Sequence, residues 1–143
     1  MRQLFMVIGT IFLLSCSAQD RKADQQDMKQ SVNDSWVAVV INGENLVTDT
    51  IVQALPQMVI HVDDMRYMGN DGCNNFTGGL IELDKLTIRF GVAAGTRMMC
   101  MDMKIPDLFN SILQEVMTWK IIENRLHLYD ADGNELMQLK KTD

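Results

Sequence analysis

The chain has 143 residues, 47% of them apolar, with 13 basic and 19 acidic side chains and a formal net charge of −6. That length supports one domain with a real core. The acidic balance excludes nucleic acid as a partner, and it excludes attachment to anionic lipid head groups by surface charge.

The opening residues, "MRQLFMVIGTIFLLSCSAQD", carry one positive side chain, Arg2, and then an unbroken run of apolar or small residues from Leu4 to Leu14. As a helix this run rises only ~16 Å, about half a hydrocarbon core. Residues 1–15 therefore read as an export signal and not as a membrane span. The "LLSC" ending at Cys16 resembles a bacterial lipobox. That resemblance implies cleavage before Cys16 and acylation of its sulfur and new amino terminus, since stable anchoring needs more than one chain. Cleavage leaves 128 residues and removes Arg2, so 12 basic against 19 acidic groups give a net −7. The expected location is the cell envelope, lipid-anchored. Ser17 stands where an Asp would signal inner-membrane retention in enterobacteria, which favours the outer membrane, facing the periplasm.

Residues 16–34 are expected to form the lipidated cysteine and a flexible linker, because Met28 and Val32 are the only sizeable apolar side chains after Cys16 and little surface can be buried against ordering entropy. Such a tether reaches ~23 Å. An exposed helix over 24–32 is the other reading of this segment.

From Trp36 the apolar period is mostly two. In "MVIHV" Met58, Ile60 and Val62 share a face opposite Val59 and His61; in "KLTIRF" Leu86, Ile88 and Phe90 oppose Thr87 and Arg89; Leu126 with Leu128, and Met137 with Leu139, repeat the pattern. These are half-buried antiparallel strands. Turn signals separate them at Asn42-Gly43, Asn70-Asp71-Gly72, Gly78-Gly79, Glu123-Asn124 and Asp132-Gly133, residue pairs that supply the positive φ of tight hairpins. One segment departs: in "IPDLFNSILQEVM" Ile105, Leu108, Phe109, Ile112, Leu113, Val116 and Met117 follow helical spacing, with Pro106 suited to the first helical position and Asp107 to the positive end of the dipole. The expected fold is mainly β (α+β), a single domain over 35–143: a cracked antiparallel β-barrel or strongly curved sheet of about eight strands, with one amphipathic helix as lid or plug.

Four stretches, taken together, resemble the META domain, also called the HslJ-like domain: "WVAVVING" from Trp36, "GNDGCNNFTGG" from Gly69, "AAGTRMMC" ending at Cys100, and an apolar helix followed by closing strands. The resemblance runs over about 35–139, with Trp36, Gly72, Cys73, Asn74, Phe76, Gly78, Thr96, Met98 and Cys100 as its carriers. Met99 departs from it, standing where the family commonly has a small residue. What the resemblance implies is a small cracked barrel with one helix, often exported and lipidated, without a catalytic set or cofactor. It also implies links to envelope stress and antibiotic tolerance and a likeness to lipid-binding secretion pilotins, hence a protein or lipid partner.

The chemistry-bearing residues are few. Once Cys16 is acylated, Cys73 and Cys100 are the remaining thiols. In an oxidising compartment they suit a disulfide; two free buried cysteines acting as small hydrophobes are the other reading. His61 and His127 lack partners at zinc-ligand spacing and are expected on the strand faces opposite the core. "MMCMDM" offers soft ligands, Met98, Met99, Cys100, Met101 and Met103, of the kind that selects Cu(I), but in a chain with 12 methionines core packing is the expected role. "DADGNE" over 130–135 is expected to be a hairpin turn, its glycine arriving too early for a calcium loop. Gly69, Gly72, Gly78 and Gly79 are expected at sharp reversals, with Asn74 and Asn75 capping the turns.

Overall fold

The computed structural model describes residues 30–47 and 54–142. The expected export signal, Cys16 and the expected linker up to residue 29 lie outside the described residues. Among the described residues there are ten strands: β1 Ser35–Ile41, β2 Glu44–Asn45, β3 Gln57–His61, β4 Arg66–Asn70, β5 Asn75–Leu83, β6 Ile88–Phe90, β7 Ala94–Gly95, β8 Thr118–Ile122, β9 Arg125–Tyr129 and β10 Glu135–Lys141. A helix, α1, spans Lys104–Glu115 between β7 and β8.

Eight of the strands form one path in the order β6-β5-β4-β3-β1-β10-β9-β8, with β2 added to β1 and β7 to β5. All pairings are antiparallel. Two meanders, β3 to β6 and β8 to β10, are thus joined by the first strand, β1. The path curls until its ends meet: Ile88 N donates to Met117 O at 3.1 Å and Trp119 N to Leu86 O at 3.0 Å. The expected cracked barrel is present, sealed along one seam by these few bonds.

Inside it pack Trp36, Tyr67, Phe76, Phe90 and the alternate apolar residues of each strand. Helix α1 closes the core with Pro106, Phe109, Ile112 and Leu113, and Phe109 lies 5.7 Å from Phe76 between ring centroids. The helix starts two residues before the expected Pro106, because Asp102 Oδ1 accepts the Lys104 N–H at 2.8 Å; Pro106 still sits within the first turn, where its missing donor costs nothing. It ends before Val116 because Met117 N is drawn to Tyr129 O at 2.8 Å. Among the described residues no helix is long and apolar enough to cross a membrane.

Four expectations need correction. Val32, assigned to the linker, is fully buried, and Trp36 Nε1 donates to its carbonyl at 3.0 Å. Asn33 Oδ1 and Asp34 O accept the Val62 and Ile60 N–H groups, so polar residues of the "linker" serve as an edge for β3. Leu86, placed on the core face, is 65% exposed, since Asp84 Oδ1 accepts both the Leu86 and Thr87 N–H groups and turns the chain there; these bonds also hold the Asp84 carboxyl below its ordinary range. His127, placed on the open face, is buried, its Nδ1 2.7 Å from Glu135 Oε2 and its ring stacked on Tyr129. Burial pushes the Glu135 carboxyl up, but bonds with Gln138 and His127 outweigh it and leave the group below its ordinary range. Finally, Gly78-Gly79 is no turn, for β5 runs through it, and Gly69 lies inside β4. A Cβ on Gly69 would stand 1.9 Å from Gln57 O, and one on Gly78 2.5 Å from the Tyr67 ring. These glycines clear space for neighbours across the sheet. The turns at Asn42-Gly43, Glu123-Asn124 and Gly133 do take positive φ as expected.

Two outcomes follow. Gly78→Ala should cost ~1–3 kcal/mol by overpacking against Tyr67, and Gly69→Ala more, read by urea denaturation. The second concerns Asp34, whose carboxyl is held below its ordinary range chiefly by a 2.7 Å bond from Lys141, against the opposing effect of burial. A depressed folded pKa stabilises above the unfolded value and is lost as pH falls through the folded one. The stability advantage of the native protein over Asp34→Asn should therefore shrink as pH is lowered below the ordinary carboxylate range, in denaturation midpoints measured across that range.

Candidate functional site

The strongest concentration of polar structure lies where "GNDGCNNFTGG" meets the segment entering α1. Asn70 Oδ1 accepts the Gly72 N–H at 2.8 Å, and Gly72 takes a φ of 99° that a side chain would strain. Asp71, buried, turns the loop around its own carboxylate: Oδ1 accepts the Cys73 and Asn74 N–H groups at 2.9 and 2.6 Å. Its Oδ2 accepts Asn110 Nδ2 of α1 at 2.7 Å. One carboxylate thereby shapes the loop and docks the helix.

Asn74 reaches the other way. Its Oδ1 accepts Met98 N at 2.7 Å and Thr96 Oγ1 at 2.9 Å, while its Nδ2 donates to Met98 O at 3.2 Å. The amide thus pairs with the Met98 backbone as a neighbouring strand would. The expectation that Asn74 caps its own turn is corrected: it caps the 96–98 segment, and Asp71 caps the turn. Asn75 is exposed; its Oδ1 accepts from Asn70 Nδ2 and its N–H donates to Thr96 Oγ1. Cys73 and Cys100 form the disulfide, 27 residues apart in sequence.

The remaining carriers of the sequence pattern fall into place around this clamp. Phe76 is buried 5.9 Å from Tyr67 and 5.7 Å from Phe109, and Gly78 leaves room for the Tyr67 ring. The Tyr67 hydroxyl donates to Gly91 O at 2.6 Å, and burial pushes its pKa up. Trp36 lies in the same row of the sheet as Gly69 and Phe76, through Met58. In the sequence Asp71 stood only as part of the Asn70-Asp71-Gly72 turn and not as its cap; its position immediately before a glycine, ahead of two amides that need an acceptor, is the signal for that role.

The methionines overturn an expectation. Met98 is 54% exposed, Met99 91% and Met101 107%, so they do not fill the core. The clamp holds the backbone at Thr96, Met98 and Cys100, and the Met98, Met99 and Met101 side chains face solvent. The soft-metal grouping loses Cys100, whose sulfur is committed to Cys73, and Met103 is half-buried at the start of α1.

Between this clamp, β7 and α1 runs a cleft of about 550 Å³, walled by Val92, Ala94, Arg97, Asn110, Leu113 and Gln114. One edge of β7 pairs with β5; among the described residues no strand pairs with the other. Val92 on its rim is exposed.

Asn74→Ala should destabilise the domain by ~1–3 kcal/mol by leaving the Met98 N–H without its acceptor. Replacing both Cys73 and Cys100 by Ala should cost about 3–4 kcal/mol through the unfolded state while leaving Met98 in place. Chemical denaturation and the Met98 amide shift read the two effects.

No curated protein sequence matches this chain. Two NMR structures share its fold. One is 25% identical with a TM-score of 0.60, covering 80% of this chain and 93% of its own. The other, of a protein from Burkholderia xenovorans, is 18% identical with a TM-score of 0.59, covering 82% and 87%. The META domain family matches residues 27–143, a span that holds the whole barrel, the helix and the Val32 segment. On that match the chain belongs to the META domain family.

Proposed function

We propose that the protein is an envelope lipoprotein, tethered through acylated Cys16 to the outer membrane on its periplasmic side, whose META domain is a non-enzymatic binding or scaffold module for a protein or lipid partner in envelope stress or antibiotic tolerance. The observation that carries this reading is how the polar groups beside the cleft are used. Both Asp71 oxygens, both ends of the Asn74 amide and the Tyr67 hydroxyl are engaged in holding the domain together. What faces solvent there is the open edge of β7 with exposed Val92, flanked by the polar side chains of Arg97 and Gln114. That surface suits recognition, in which an open strand edge offers backbone hydrogen bonds and exposed apolar residues offer area. The acidic charge of the chain supports a partner other than nucleic acid.

Two measurements test this. Labelled palmitate should enter the native protein and be absent from Cys16→Ser. In native pull-down from solubilised membranes, the protein or lipid that co-purifies should be retained about tenfold less by Val92→Glu; recovery of neither, or equal retention by the variant, contradicts the reading.

A further inference from the structure

We propose that the loop 97–101 binds a soft monovalent cation, Cu(I) or Ag(I), through the thioethers of Met98, Met99 and Met101. This is independent of the binding-module reading and rests on different atoms.

Three observations meet in this loop. First, three thioethers within four residues are exposed, two of them almost wholly, in a domain whose buried methionines, Met58 and Met137, do serve the core. Second, the backbone that carries them is fixed before any ion arrives. Thr96 N donates to Asn75 O at 3.0 Å, Met98 is held at N and O by Asn74, Cys100 is bonded to Cys73, and Asp102 accepts the Lys104 N–H. Such preorganisation removes ordering cost from binding. Third, the Cys100 sulfur is committed to the disulfide, and among the described residues no group of three or more His, Cys, Asp or Glu could hold a metal, which leaves the thioethers as the soft donors of this loop.

Uncharged thioethers are poor ligands for hard or borderline divalent ions and good ones for soft ions. The donor set that remains therefore selects by softness. The disulfide contributes by holding Cys100 inward so that Met99 and Met101 stay outward.

Full-length, detergent-extracted protein with its disulfide intact and its methionine methyls labelled with ¹³C is titrated with Ag(I) in chloride-free buffer, where no reductant is needed. One equivalent should move the Met98, Met99 and Met101 methyl signals and leave those of buried Met58 and Met137 in place; Zn(II) should move none. Exchanging all three for leucine, which conserves volume at exposed positions, should weaken Ag(I) binding by about tenfold or more. A smaller loss, shifts shared equally with the other methionines, or saturation only at one Ag(I) per methionine overturns the proposal.

Discussion

The amide of Asn74 and the carboxylate of Asp71 are the pair on which this face of the domain depends. They stand three residues apart in one loop and are both buried. Burying a carboxylate and an amide without partners would cost several kcal/mol, so the loop is stable only because each oxygen and nitrogen finds one. Asp71 spends its oxygens on its own turn and on Asn110; Asn74 spends its amide on Thr96 and Met98. The loop becomes a junction between the barrel, the helix and the segment that leads into it.

The barrel makes the junction necessary. Its seam between β6 and β8 is short, and the helix that covers the core is introduced by residues 94–103, a stretch without sheet pairing beyond the two residues of β7. There the Asn74 side chain pairs with the Met98 N–H and carbonyl in place of a neighbouring strand. The disulfide adds a covalent limit on the unfolded chain, and it lies within the same contact the polar clamp already makes. Aromatic packing of Phe76 against Tyr67 and Phe109 ties the clamp to the interior.

Much of this was legible in the sequence, for local reasons. Alternating apolar residues set β3, β9 and β10; Asn42-Gly43 and Glu123-Asn124 set hairpins through positive φ; the spacing of Phe109, Ile112 and Leu113 set the helix. The Gly-Cys-Asn and Thr-x-Met-x-Cys stretches marked the clamp without saying what it did. What stayed hidden depends on contacts distant in sequence. Gly78 looks like a turn residue until the Tyr67 ring is seen against it. Val32 sits in a polar stretch and is recruited by Trp36. Met99 and Met101 read as core because they are apolar, yet with Met98 they face solvent on a backbone that the clamp holds. His127 obeys the strand period, yet Glu135 and Tyr129 cover its face.

A rigid junction with its polar groups engaged lies beside the open edge of β7 and the exposed Val92, and the clamp sets the shape of that face. The claim that the Asn74 and Asp71 side chains, and not the disulfide alone, hold the 96–100 segment is tested most directly by amide hydrogen exchange at Met98, Cys73 and Asn74 before and after reduction of Cys73–Cys100. If the clamp governs, these amides remain protected in the reduced, folded protein, alongside those of β4 and β5. Exchange of Met98 at the open-chain rate on reduction, with the strands still protected, contradicts the account and assigns the loop to the disulfide.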